Sequence, residues 1–208
     1  MTVSIVLTTY NGEKYLLPLL ESIKNQTEYV DEVLVSDDKS SDDTVNIVSD
    51  FIIKYGLKTW KLNVNDTNLG FKKNFLLAMS RAKGDLIFPC DQDDLWYPNK
   101  INAMKRIMDK YNNIQVSFCD SVAYDDSVNI SNFKNFNDAD IERIPFSEEV
   151  RNCYGAGHLL CVRKQFIEQY SQEIIKHCLT FDIPYCLIAS KLNSFYKINQ
   201  ILVARRFH

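Results

Sequence analysis

Residues 84–100 read GDLIFPCDQDDLWYPNK. Leu86, Ile87 and Phe88 form a short apolar run suited to a buried parallel strand, and Pro89 closes it. Asp91, Asp93 and Asp94 follow, and a helical pattern starts at Trp96. In an open α/β sheet, ligands bind outside the carboxyl ends of the strands, so acids placed there face a ligand or a cation. Asp91 and Asp93 form a D-x-D pair. Two like charges about 4 Å apart cost roughly 4 kcal/mol at an effective dielectric near 20. A hard ion such as Mg²⁺ or Mn²⁺, held by carboxylates and phosphate oxygens, removes that cost. A solvated acidic turn capping the next helix explains the same residues more simply, because Asp is a good N-cap. The other strand ends decide between the two.

Upstream, Val3 to Leu7 is a β-branched apolar run that ends in the polar turn Thr8-Thr9-Tyr10-Asn11-Gly12. Leu16, Leu17, Leu19, Leu20 and Ile23 then recur at helical spacing. Glu32 to Ser36 predicts a second strand, ending in Asp37-Asp38. Ser40, Ser41 and Asp42 offer N-caps for a helix carrying Val45, Ile47, Val48, Phe51 and Ile52. Lys58 to Val64 predicts a third strand and Phe71 to Arg81 a helix with Phe75, Leu76 and Met79 inward. Residues 85–89 supply the fourth strand and Trp96 to Tyr111 its helix. Four strand–helix units in series predict a parallel sheet with right-handed crossovers.

Downstream the alternation stops. Gln115 to Ala123 predicts a strand. Residues 125–150 are polar and read as a long loop with one short helix near 138–143; loops of this length are usually functional or disordered. Gly155 to Arg163 predicts a strand, Lys164 to Lys176 and Phe181 to Lys191 two helices, and Ser194 to Arg206 one or two short strands. No Pro/Gly/Ser-rich linker, low-complexity block or repeat interrupts the chain, so a single domain over 1–208 is expected.

Charge and cysteine usage narrow the class. With 24 Lys and Arg against 27 Asp and Glu, the net charge is −3. That balance, with no basic stripe, argues against a nucleic-acid partner. No apolar run reaches the roughly 18 residues of a spanning helix, and MTVSIVLTTYNGEKYL is not a signal peptide. The 6 cysteines, without any C-x-x-C, suit reduced and mostly buried thiols in a cytoplasm.

Three strand ends, Thr8 to Asn11, Asp37-Asp38 and Asp91/Asp93, should therefore meet on one edge of the sheet. A nicotinamide enzyme needs G-x-G-x-x-G after the first strand, and this chain has only Gly12 there. A P-loop is absent, and a response-regulator receiver domain is shorter. Acids at the second strand end suit base or ribose hydrogen bonds, and acids at the fourth suit a metal diphosphate. Together they describe a nucleotide-sugar site.

On SIVLTTYNGEKYL, VLVSDDKSSDDT and DQDDLWYPNK, the chain resembles glycosyltransferase family 2 with the GT-A fold, close to bacterial rhamnosyltransferase-like polysaccharide enzymes. The resemblance implies a Rossmann-like, mostly parallel sheet flanked by helices. It also implies a nucleotide-binding half over 1–112 and an irregular acceptor-side half over 113–208. Carried over, Thr8, Tyr10, Asp37 and Asp38 line the base and ribose. Asp91 sits near ribose or metal, and Asp93 is the metal ligand on the diphosphate, with Mn²⁺ or Mg²⁺ as cofactor.

The family inverts the anomeric centre in one displacement and carries a single carboxylate base at the start of a helix in the second half. Asp182 occupies that place, after Phe181 where relatives commonly have His or Glu; an N-cap role for Asp182 stays open. Arg206-Phe207-His208 resembles the family's R-x-H element, which implies Arg206 at phosphate and His208 at the metal. Gly157 and His158 fall in the acceptor-side turn, where His158 is either a turn histidine or a sugar contact. Trp96 is either core or a sugar-stacking ring. Lys72 or Lys73, after Asn68-Leu69-Gly70, either approaches the diphosphate or lies on a solvated face, the simpler reading. The implied partners are a UDP- or dTDP-sugar donor and a glycan or lipid-linked acceptor, which brings peripheral association with the inner face of the membrane. A non-catalytic nucleotide-sugar or partner-binding domain on the same scaffold is the alternative. A sugar-phosphate nucleotidyltransferase lacks its Gly-rich signature here.

Overall fold

The computed structural model describes residues 1–124 and 140–206. Strand β1 (Val3–Thr9) lies between β2 (Glu32–Asp37) and β4 (Leu86–Cys90), parallel to both, and β3 (Trp60–Val64) pairs parallel with the outer side of β2. These runs are apolar because both sheet faces are covered: Val3, Ile5, Val6, Leu7, Leu86, Ile87 and Phe88 are all fully buried. The crossovers are α1 (Glu13–Lys24), α2 (Thr44–Tyr55) and α3 (Phe71–Arg81). On α1, Leu16, Leu19, Leu20 and Ile23 form the buried stripe, while Leu17 faces outward. On α3, Phe75, Leu76 and Met79 are buried as their spacing predicts.

The sheet continues into the second half. β8 (Leu160–Arg163) pairs antiparallel with β4 and with β6 (Val116–Tyr124). β9 (Phe195–Arg206) runs parallel to β6, and β5 (Leu95–Trp96) and β7 (Ile141–Arg143) pair antiparallel with β9. The strand order is β3-β2-β1-β4-β8-β6-β9-β5, with β7 on β9. Helices α4 (Lys100–Lys110), α5 (Phe146–Asn152), α6 (Lys164–His177) and α7 (Asp182–Lys191) complete the elements.

Four expectations change. The helix expected from Trp96 starts at Lys100, because Leu95 and Trp96 pair with Ala204 and Val203, and Pro98 disfavours helix at Tyr97. The strand expected from Gly155 shortens to Leu160–Arg163, behind a 3₁₀ turn at Gly157–Leu159. In place of a short helix near 138–143, residues 141–143 pair with Tyr196 to Ile198 as β7, and positions 138 and 139 lie outside the described residues. Residues 146–152, overlapping the end of the expected loop, form α5.

Register places the site. Thr9 pairs with Asp37 and Leu7 with Cys90, so β1, β2 and β4 end side by side. Whatever follows those strands shares one edge.

Candidate active site

That edge opens into a cleft of about 530 Å³ lined by Thr8, Tyr10, Asp38, Asp91, Asp93 and Asp182, among others. Residues that follow β1, β2 and β4 thus share one wall, and Asp182, 174 positions from Thr8, lines it with them.

Asp38 is buried and already engaged. Its Oδ1 accepts from Asn65 Nδ2 at 3.0 Å and the Leu69 amide at 2.8 Å, and its Oδ2 accepts from the Gly70 amide at 2.8 Å. A carboxylate offers about four lone-pair sites, so acceptor capacity on Oδ2 is left for a ligand. Asp37, expected to bind nucleotide, does not line the cleft. It is fully buried, accepting from Thr9 Oγ1 at 2.8 Å and from the Ser40 amide and hydroxyl at 2.8 and 2.5 Å. Asp37 ties β1 to the turn after β2; Asp38, one residue on, faces the cleft.

Asp182 opens α7. Its Oδ2 accepts from the Gly157 amide at 3.0 Å and its Oδ1 from the Ile183 amide at 2.9 Å. The two bonds fix the carboxylate at the cleft wall. Gly157 is required for space: a Cβ there would stand 2.5 Å from Phe181 Cζ, and that ring stacks on Phe75 at 4.4 Å.

Asp91 joins the cleft to a second cluster behind it. His158 is buried, with Nδ1 3.3 Å from Asp91 Oδ2 and Nε2 3.7 Å from Asp94 Oδ2. Candidate ligand atoms of Asp91, Asp94 and His158 lie within 4.8 Å of one another. His158 Nε2 has no hydrogen-bond partner among the described residues. Two carboxylates and an imidazole are a donor set that suits a divalent cation of the Mn²⁺ kind. Burial pushes the Asp94 carboxyl up to about 6, opposed by His158 and reinforced by Asp91. The expected ligands are Asp91, Asp93 and His208. Asp93 lines the cleft, while Asp94 and His158 gather with Asp91.

The remaining expectations divide. His158 is held between carboxylates, not on the cleft surface where a sugar would touch it. Trp96 is fully buried against Phe88 and under Lys100 Nζ, 3.5 Å from its ring centroid, so it stacks no sugar. The Arg206 guanidinium lies over Tyr15 and Tyr124, 4.5 and 4.6 Å from the ring centroids, and donates to Tyr124 Oη at 3.1 Å. Cation–π attraction therefore holds it away from the cleft. Lys72 Nζ donates to the Ile175 and Cys178 carbonyls, not toward a diphosphate. His208 lies outside the described residues. Cys90, Cys119, Cys161 and Cys186 are buried free thiols, as expected.

Sequence reasoning passed over Asn68, Asn74 and Phe75, which also line the cleft. Asn74 carried a usable signal: a polar residue on the inward face of α3, bonded to Ser36.

A family model described as Glycosyl transferase family 2 matches residues 4–185. The chain belongs to glycosyl transferase family 2. It is 38% identical over 104 residues to Staphylococcus aureus poly(ribitol-phosphate) β-N-acetylglucosaminyltransferase TarS, covering 48% of this chain and 17% of TarS. It is 33% identical over 123 residues to dTDP-rhamnosyl transferase RfbG of Shigella flexneri, covering 57% of this chain and 42% of RfbG. The chain spans less than half the length of the curated relatives it matches. The crystal structure of S. aureus TarS 1-349 in complex with UDP-GlcNAc superposes with a TM-score of 0.75 over 100% of this chain and 59% of that one, at 22% identity. Mannosyltransferase PcManGT from Pyrobaculum calidifontis, in complex with GDP-Man and Mn²⁺, gives 0.69 over 96% and 54%, at 19% identity. These neighbours establish the GT-A fold for this family 2 domain. No helix among its described residues is long and apolar enough to cross a membrane.

Proposed function

We propose that this domain is a metal-dependent, inverting glycosyltransferase that moves a sugar from a UDP- or dTDP-sugar to a hydroxyl of a glycan or lipid-linked oligosaccharide. One observation carries the reading: Asp38, Asp91, Asp93 and Asp182, from three separate segments, line the same cleft.

Asp38, with Thr8 and Tyr10, takes the base and ribose through the acceptor capacity left on its carboxylate. Asp91 and Asp93 face the diphosphate, and Asp91, Asp94 and His158 are the residues that would hold the cation. When bound, the cation supplies Lewis-acid neutralisation of the charge that grows on the departing diphosphate oxygen. Asp182 is the general base. Its two backbone hydrogen bonds fix its orientation, and an acceptor hydroxyl within about 3 Å of its oxygens gives up its proton as it attacks the anomeric carbon. Direct attack needs one base and inverts the configuration. Phe75 and Phe181, stacked at the cleft wall, narrow the space open to water.

RfbG's name supports a dTDP-sugar donor, the UDP-GlcNAc complex of TarS a UDP-sugar donor, TarS's name a polymeric acceptor, and the Mn²⁺-bound neighbour the cation. A lipid-linked acceptor places the enzyme in the cytoplasm at the inner membrane face. The test is incubation with Mn²⁺, a panel of UDP-, dTDP- and GDP-sugars and lipid-linked or glycan acceptors. Nucleoside diphosphate release that requires both acceptor and metal is the expected result; neither binding nor release with any donor overturns the reading.

A further inference from the structure

We infer that Gln92, the middle residue of the D-x-D, is a positioning residue that locks the loop after β1 onto the loop after β4; the inference rests on the proposed nucleotide-sugar site. Its carboxamide bonds reciprocally to the backbone of one residue. Nε2 donates to the Tyr10 carbonyl at 3.0 Å and Oε1 accepts from the Tyr10 amide at 2.8 Å. This copies the exchange between two hydrogen-bonded strand residues, across 82 positions of sequence. Among side chains of this length, an amide both donates and accepts in that way.

Gly12 completes the lock. A Cβ at Gly12 would stand 2.3 Å from Gln92 Oε1 and 2.7 Å from its Cδ. The Gly12 backbone itself, at φ −107°, accepts any L-residue, so glycine is needed there for the space Gln92 occupies. The Gln92 oxygen sits at the end of a flexible chain, but moving it breaks both bonds to Tyr10.

Through this lock, the wall formed by Thr8 and Tyr10 and the edge formed by Asp91 and Asp93 hold one spacing. A nucleoside diphosphate that bridges them meets a preformed cleft and does not have to order a loop as it binds.

The test compares wild type, Q92A, Q92M, G12A and Q92A/G12A. Amide exchange at Tyr10, read by NMR without ligand, should quicken about tenfold in Q92A, Q92M and G12A, the effect of losing roughly 1.4 kcal/mol of hydrogen bonding. Adding G12A to Q92A should change nothing further, because the methyl group enters vacated space. Affinity for UDP, dTDP or GDP with Mn²⁺ should fall about tenfold in the same variants. Unchanged Tyr10 exchange in Q92A, or simply additive effects of G12A and Q92A, overturns the inference. If the wild type binds no member of the panel, the functional reading fails, while the exchange cycle still judges the lock.

Discussion

Lys100 Nζ lies 2.7 Å from the carbonyl oxygen of His158, fully buried and seated over the Trp96 ring. The first residue of α4 thereby holds the 3₁₀ turn whose Gly157 amide orients Asp182 and whose His158 ring meets Asp91. Burial lowers the Lys100 pKa, so desolvation opposes this arrangement. Lys100→Met removes that penalty but leaves a buried carbonyl unpaired, at about 1–3 kcal/mol, and loses a desolvated cation–π contact. The losses should win. Lys100→Met is expected to unfold about 2–8 °C below wild type by thermal denaturation. A variant as stable as wild type would show that desolvation dominates.

Asp182→Asn should separate chemistry from binding. The amide oxygen still accepts from Gly157, so the turn keeps its place, while the base is gone. Turnover should fall about 10²–10⁴-fold, and donor affinity should stay within a factor of two or so. A variant with most of its turnover would move the base elsewhere.

The architecture up to Arg81 was legible in the sequence because each strand is buried on both faces and each helix keeps one apolar stripe. Thr8, Tyr10, Asp38, Asp91 and Asp93 could be placed on one edge because parallel strands end together. Trp96 misled: a large apolar residue after an acidic turn looks like a helix start or a sugar platform. Its partner strand β9 begins 99 residues later. The meeting of Asp94 with His158, and of Arg206 with Tyr15 and Tyr124, depends equally on long-range packing and leaves no periodic trace. The adjacent pair Asp37-Asp38 could not be resolved into a structural and a cleft-facing residue, because only the chain's direction after β2 separates them.

Asp38→Ala should cost both stability and binding. Two backbone amides, Leu69 and Gly70, lose a charged acceptor, and hydrogen bonds to charged groups contribute about 1.5–3 kcal/mol each. Solvent reaching the exposed loop recovers part of that. A net loss of about 2–3 kcal/mol in urea unfolding is expected, together with weaker nucleotide binding by calorimetry. Unchanged binding with lowered stability would assign Asp38 to loop structure alone.

Glu149 gives the chain a pH-dependent weak point away from the cleft. The side chain is fully buried in α5; Oε2 accepts from the Tyr154 amide at 3.2 Å, and Oε1 has no hydrogen-bond partner among the described residues. Burial pushes the carboxyl up from 4.5 to about 7, opposed by that amide. A carboxyl whose pKa is raised by folding carries no penalty below its unfolded value, where it is protonated in both states. The penalty grows as pH rises from 4.5 to 7 and is complete above, because the folded state must then hold a desolvated charge. At 1.36 kcal/mol per pKa unit, the full effect is about 3 kcal/mol at most. Glu149→Gln keeps an acceptor for Tyr154 and cannot ionise. Its stability relative to wild type, from urea unfolding, should therefore climb by about 1–3 kcal/mol between pH 5 and pH 8. A difference that stays flat across that range would mean that Glu149 remains charged, with a cation or water meeting Oε1.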